Sequence, residues 1–392
     1  MEERTRAYLR GRFRDYYRRS PPAVPPEASA REWGYIPWTE GPDTTMVRHR
    51  STHDLGDVGE FLIRERPRHV YFSAGYYEDP SARSMAEKGW RGSDLIFDLD
   101  ADHLPSVDPR EDSYAEMLAT CKGALCKLLD LLETDFGFED MQIAFSGGRG
   151  YHVHVRDDRV QALDREQRRE IVDYVRGNDV TLEALVRERA VGGRGRKTPT
   201  TRRTLPTDGG WGRRVVSHVQ DFAEELLAME EETALERLHA IDGVGEKNAR
   251  AILTVVESNT EAVRAGNVDV HPAFLPVVRA LIEETVRDDA SPIDEPVTTD
   301  THRLIRLPGS LHGGSGLRVV TLEPDEIQEF DPLVDAIPDT FRGHEIAVEV
   351  EAERTVELDG ESLSVGAGNT TVPEYAGIFL MARGWAEKAR EG

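Results

Sequence analysis

Two aspartates at the end of an apolar run are the first residues in this chain that could do chemistry. In DLIFDLDADH (94–103), Leu95, Ile96 and Phe97 lead into Asp98 and Asp100. Residues i and i+2 of a strand share a face, so a strand here sets the two carboxylates side by side with Leu99 behind them. Such a pair repels itself and resists desolvation. A divalent cation relieves both penalties, and hard oxygen ligands suit Mg²⁺ or Mn²⁺. The plainer reading is a strand ending in solvated loop acids. Spacing alone does not separate a metal ligand from a nucleophile.

Two glycine turns follow with the right chemistry to meet a phosphate. In SGGRGYH (146–152), Gly147, Gly148 and Gly150 let backbone approach a ligand and offer N–H groups to an anion. Arg149 adds a forked donor set. On the next strand His152 and His154 share one face, and Tyr151, Val153 and Val155 take the other. The second turn lies in IDEPVTTDTHRLIRLPGSLHGGSGL (293–317), with Ser310 and His312 among Gly309, Gly313, Gly314 and Gly316. Asp294 there could complete a three-carboxylate cation site, with Asp300 as a nearby rival. Strand character is expected at 293–298 and 303–307. Period-2 alternation then puts Arg303 and Arg306 on opposite faces, with only one toward the site. For each turn the bland alternative is a plain hairpin.

These residues need a scaffold to hold them. MQIAFS (141–146) and YHVHV (151–155) read as strands flanking the first glycine turn. Strand and turn patterns fill 30–75, a helix is expected over 113–135, and 373–391 reads as a short terminal helix. Residues 4–19 read as an amphipathic helix with arginines interleaved with Tyr8, Phe13, Tyr16 and Tyr17, facing either the core or phosphate. Helical periodicity dominates 161–190 and 219–288, and between them 191–214 reads as a flexible basic loop. Asp98 and Asp294 must meet across this long middle stretch. The expected architecture is therefore an α/β (α+β) core of mixed sheets flanked by helices, built from 1–158 and 290–392, with a mainly helical insertion at 159–289.

The composition bounds the remaining choices. The chain has 392 residues, which at roughly 150 per domain suggests two or three domains. Hydrophobic residues make up 39%, enough for a real core. No run of about 18 apolar residues exists, and the first twenty residues lack the apolar centre of a secretory signal. Cys121 and Cys126 are the only cysteines, which fits a reducing cytoplasm. With 49 Lys+Arg against 73 Asp+Glu the net charge is −24, which at first argues against a nucleic-acid partner. Yet only six of the basic residues are Lys, and the rest are Arg. A chain rich in acid and Arg and poor in Lys reads as one adapted to high salt, where carboxylates keep the surface hydrated and salt screens repulsion.

DLDADH (98–103), SGGRGYH (146–152) and HRLIRLPGSLHG (302–313) together, in this order, resemble the small catalytic subunit of archaeal and eukaryotic DNA primase. MVRHRS (46–51) and VPEYAGIFLMARG near the C-terminus extend the resemblance over most of the chain. It implies that Asp98, Asp100 and Asp294 bind two divalent ions, Mg²⁺ or Mn²⁺. It implies nucleotide contacts from Arg48, Ser146, Arg149, His152, Arg306 and His312. The implied activity is primer synthesis on a single-stranded DNA template from nucleoside triphosphates, by two-metal nucleotidyl transfer, with extension of the primers as a DNA polymerase. The implied partner is a large iron–sulfur primase subunit. Relatives of this kind commonly carry a zinc cluster between the first two motifs. Here two cysteines five positions apart in a helical pattern fall on poorly matched faces, so core packing is expected in place of structural zinc.

Two other readings compete. A D-x-D after an apolar strand also occurs in haloacid-dehalogenase-like phosphohydrolases, whose first aspartate is a nucleophile. Asp157 and Asp158 could pass as the later acidic motif of those enzymes, but that motif should come much later, after a Lys, and Asp102 fills a position they give to a small hydroxyl residue or valine. A non-catalytic DNA-binding scaffold is the other reading. IDGVGEKNARAIL (241–253) resembles a helix-hairpin-helix turn, and the basic stretch 191–214 could meet a template or primer.

Overall fold

The computed structural model describes residues 1–39, 45–191 and 200–390. The fold is mixed α/β, with antiparallel sheets flanked by helices. The chain forms two compact units, one of residues 1–126, 138–172 and 292–392 and the other of 127–137 and 173–291.

The first unit is built on two antiparallel sheets. In one, His69–Tyr77 lies between Arg31–Ile36 and Leu304–Arg306, with Val47–Arg50 at one edge and Trp90–Ser93 also paired to His69–Tyr77. The other runs Val320–Leu322, Met141–Phe145, Gly150–Val155, Leu95–Asp100. The chain passes from the first sheet to the second through a single residue, Asp94, and the crossing is locked by buried charge. Arg31 donates to the Asp94 carboxylate at 2.9 Å with both side chains fully buried. The Tyr76 hydroxyl also donates to it. Arg168 donates to the carbonyls of Ser93 and Asp94, each at 3.0 Å. Removing one member of such a network strands a buried charge, a loss of about 3–5 kcal/mol. The aspartate-bearing strand therefore starts from a fixed point.

The helix Glu3–Tyr17 turns its aromatic face inward: Phe13, Tyr16 and Tyr17 are buried. Tyr16 donates its hydroxyl to the Gly309 carbonyl at 2.9 Å, and the Leu311 amide donates to the Tyr17 hydroxyl at 3.2 Å. The helix thus buttresses the second glycine turn from behind, and Arg12 pairs with Asp15 and Glu374. The helix Tyr114–Thr134 buries Leu125, Leu128, Leu131 and Leu132. Cys121 is buried in it facing the Leu99 carbonyl, and Cys126 faces Gln328.

Several local expectations change. The terminal helix expected over 373–391 is Glu374–Ala382, followed by the strand Ala386–Lys388, and 30–75 holds the helices Thr52–Leu55 and Val58–Glu65 among its strands. Residues 293–298 do not form a strand: Glu295–Thr299 is a helix with Asp294 at its N-cap. Pro296 explains this, because proline has no N–H for a sheet ladder but fits a first helical turn. Arg303 lies just before the strand Leu304–Arg306, so period-2 alternation does not govern it. The stretch 191–214 is not simply a loop: Arg187–Val191 pairs with Thr200–Thr204, and Gly210 opens the helix Gly210–Ala228. Residues 192–199 of that stretch lie outside the described residues.

The second unit has its own core. Helices Gly210–Ala228, Glu231–His239, Glu246–Ser258 and Leu275–Asp289 bury Val215, Leu226, Leu238, Ile252, Val256 and Val277 against one another. The GVG sequence forms the turn between Glu231–His239 and Glu246–Ser258, with Gly243 at φ 79° and Val244 and Ala249 packed inward. Among the described residues no helix is long and apolar enough to cross a membrane.

Candidate active site

The register of two neighbouring strands builds the centre of the site. Leu95–Asp100 and Gly150–Val155 run antiparallel, with Asp98 opposite His152 and Asp100 opposite Gly150. Directly opposed residues share a face, and His152 Nε2 lies 3.3 Å from Asp98 Oδ1. Leu99, on the other face, is fully buried. Burial alone would raise the Asp98 pKa. The charge and hydrogen bond of His152, with the Arg303 and Arg306 charges, overcome it and hold the carboxyl below its ordinary value.

Asp294 reaches this strand through its backbone, donating its N–H to the Asp98 carbonyl at 2.9 Å. An N-cap aspartate normally accepts an amide of its own helix, but the Asp294 carboxyl makes no such bond. Burial, and then the charges of Asp98 and Asp100, push its pKa above the ordinary carboxylate value. Asp98 and Asp100 thus raise the cost of ionising Asp294, and carboxylates so placed suit a hard divalent cation in donor type and charge. They are not drawn into a finished cage: among the described residues no three His, Cys, Asp or Glu side chains form an ion-holding group. Asp98 faces His152, and Asp100 faces Arg149, whose Nε lies 3.9 Å away. Asp300 lines the same cleft, but its carboxylate is engaged by the His302 amide at 2.9 Å.

The glycine turn 146–150 differs in detail from a simple anion nest. Its Gly148 and Gly150 amides both donate to Ser146 Oγ, each at 3.3 Å. Those two amides are therefore committed to the turn itself, and the Ser146 hydroxyl keeps its proton to donate elsewhere. Glycine is required here on steric grounds. A Cβ on Gly150 would sit 1.7 Å from the Leu99 carbonyl oxygen, and Gly147 has φ +73° with His312 Cβ 2.8 Å from where its own Cβ would be. Arg149 pairs with Asp102.

His312 comes from the second glycine turn and packs on the first. Its Nδ1 accepts the Gly314 amide at 3.2 Å, which leaves Nε2–H as the donor. Burial, and then Arg306 and His69, push its pKa well down. Arg306 Nη1 donates to the Ser146 carbonyl at 3.4 Å, and its guanidinium lies 5.4 Å from the centre of the Tyr71 ring. Arg303 and Arg306 both line the cleft, against the expectation that only one would. Arg48 closes the far side, held by the buried Glu32 at 3.1 Å, which also takes the buried Lys88 ammonium at 2.8 Å. The cleft that Asp98, Asp100, Ser146, His152, Arg48 and Arg306 share has a volume of about 430 Å³.

A family model described as DNA primase small subunit matches residues 97–324, from the strand of Asp98 to just past the second glycine turn. The chain belongs to the DNA primase small subunit family. It is 66% identical over 391 residues to the DNA primase small subunit PriS of Halobacterium salinarum, covering 100% of both chains. To PriS of Haloarcula marismortui it is 62% identical, again over 100% of both. To PriS of Methanococcoides burtonii it is 40% identical over 99% of each. Of the residues named from the sequence, Asp98, Asp100, Ser146, His152, Arg306 and Arg48 line the one cleft, Arg149 and His312 line a recess beside it, and Asp294 lines neither.

Several cleft residues of this primase small subunit were not legible beforehand. Tyr71 lines it from a strand position with no motif of its own, and His302, at the head of HRLIRLPGSLHG, lines it although no role was expected of it. Glu32 and Lys88, far apart in sequence, act by fixing Arg48. Arg68, Arg383 and Trp385 border an adjoining recess. The one advance signal was ARGW (382–385), a cation, a helix-ending glycine and an aromatic just after an apolar run.

Proposed function

We propose that this chain is the catalytic subunit of a DNA primase that makes short primers on single-stranded DNA by template-directed nucleotidyl transfer, releases pyrophosphate, and extends the primers as a DNA polymerase. The observation that carries the reading is the strand register that puts Asp98 opposite His152 and Asp100 opposite the Arg149-bearing turn. Acids for a cation and cations for a triphosphate thereby share one cleft.

Asp98, Asp100 and Asp294 would hold two divalent ions, Mg²⁺ or Mn²⁺. Bound there, such ions lower the pKa of an attacking 3′-hydroxyl and offset phosphate charge. The protein's own groups do the rest. Ser146 donates its free hydroxyl proton to a phosphate oxygen. The His312 Nε2–H does the same without adding charge. Arg149 and Arg306 neutralise the triphosphate as charge moves to the leaving group. His152 fixes the Asp98 carboxylate, and Arg48, tethered by Glu32, borders the nucleotide side. Template contacts run to its backbone, and pairing with the incoming nucleotide reads the sequence. A large iron–sulfur subunit is the expected partner.

The test is a labelled nucleoside triphosphate incubated with the protein in high salt, with and without single-stranded DNA and with and without Mg²⁺ or Mn²⁺. Labelled product is expected only when both are present, with pyrophosphate released in step. Free phosphate made without template would point instead to a phosphohydrolase. No incorporation under any condition would reject the proposal.

A further inference from the structure

A second recess, of about 440 Å³, opens beside the cleft and shares Asp100, Ser146 and Arg306 with it. Four arginines line it: Arg68, Arg149, Arg306 and Arg383. Arg149 is paired with Asp102. The other three make no ion pair among the described residues. Among the described residues the buried Nε–H groups of Arg306 and Arg383 have no acceptor. Three guanidinium charges without a carboxylate partner, lining one recess, suit an anionic ligand there.

Arg383 lies in the VPEYAGIFLMARG segment, beyond the end of the family-model match, and the chain fixes it with care. It caps the helix Glu374–Ala382 in a Schellman turn: Trp385 N–H donates to the Leu380 carbonyl at 2.9 Å and Gly384 N–H to the Met381 carbonyl at 3.0 Å. Gly384, at φ +73°, supplies the left-handed residue that this turn requires. The Arg383 guanidinium then sits 4.1 Å from the Tyr114 ring centre, 4.6 Å from Phe379 and 5.2 Å from Trp385. Three rings attract and orient the cation while leaving its Nε edge unsatisfied. The Tyr114 hydroxyl in turn donates to the Gly148 carbonyl, which ties the arrangement to the glycine turn.

Resting on the nucleotidyl-transfer reading, we infer that Arg383 binds the β- and γ-phosphates of the incoming nucleotide, so that the C-terminal turn completes the triphosphate site. The recess lies on the Ser146 and His312 side of Asp100, where a triphosphate whose α-phosphate met the aspartates would extend. Arg68 and Arg306 line its other walls. The family match ends at residue 324, well before this turn.

The test uses the full chain. Inorganic tripolyphosphate, titrated by calorimetry without template, probes the recess independently of catalysis. Arg383→Met keeps the stem on the rings and removes the donors; Arg383→Lys restores charge. Arg383→Met is expected to weaken tripolyphosphate binding tenfold or more and to raise KM for the nucleotide by a similar factor. Its single-stranded DNA affinity should hold, with Arg383→Lys in between. On the wild type, tripolyphosphate is expected to shield Arg383 from phenylglyoxal, read by mass spectrometry, so the inference stays testable if a variant folds poorly. Unchanged tripolyphosphate affinity in a folded Arg383→Met protein, or no shielding of Arg383, would overturn it. A wild type that binds tripolyphosphate through Arg383 but incorporates no nucleotide would instead sink the primase reading and leave the anion site standing.

Discussion

Buried histidines govern how the first unit meets acid. His69, His154 and His312 all have pKa values pushed well below the ordinary imidazole value, in each case chiefly by burial. His154 stacks on Phe72 with ring centres 5.8 Å apart, and neither ring nitrogen has a hydrogen-bond partner. The unfolded chain takes up protons near pH 6.5 while the folded one resists. This share of the stability is present above that pH and is lost as pH falls below it, at about 1.4 kcal/mol per pH unit for each histidine. His154→Phe should therefore flatten the fall in urea stability between pH 6.5 and 5.5 by about one such share. An unchanged slope would place the acid sensitivity elsewhere. At this scale the sequence was readable where chemistry sat in a short motif. Asp98, Ser146 and His152 were visible because alternation and glycine spacing constrain them locally. Glu32 and Lys88 were not, because their 2.8 Å contact depends on tertiary packing alone.

The elements act by holding one another in register. The turn at 146–150 is stitched by Ser146 on the inside, Tyr114 and Ser315 on its carbonyls, and His312 against Gly147. Gly147→Ala meets both a left-handed backbone and the His312 side chain. It should lower stability by about 1–3 kcal/mol and raise the nucleotide KM. A wild-type melting point together with a wild-type KM would mean that the turn tolerates a shift. The two strands were legible here because Leu95–Asp100 and Gly150–Val155 are short apolar runs of clear period, whereas their pairing was not, since it joins segments about fifty residues apart. The segment carrying Asp294 was not, since apolar and threonine residues suggested a strand while Asp294 and Pro296 mark a helix start. Arg303 was misjudged for a related reason: alternation holds only inside a strand, and the strand begins one residue later.

For the whole molecule, a net charge of −24 describes the exterior and says little about the cleft. Acids dispersed over the surface repel at low ionic strength, where the Debye length exceeds about 10 Å. Transfer from multimolar KCl to dilute buffer should therefore cost the protein its folded circular-dichroism signal. Full stability in dilute buffer would remove the salt-adaptation reading. The separate helical core of the second unit was foreseeable from periodicity, whereas the pairing of Arg187–Val191 with Thr200–Thr204 was hidden by basic and glycine residues that read as loop. The role of the cleft comes down to Asp98. In Asp98→Asn the shape of the site is kept and one charge is lost. Primer synthesis and extension on single-stranded DNA with Mg²⁺ or Mn²⁺ should fall by at least a thousandfold, with wild-type melting and DNA affinity. Primer synthesis at the wild-type rate by that variant would show that the reaction does not run through these aspartates.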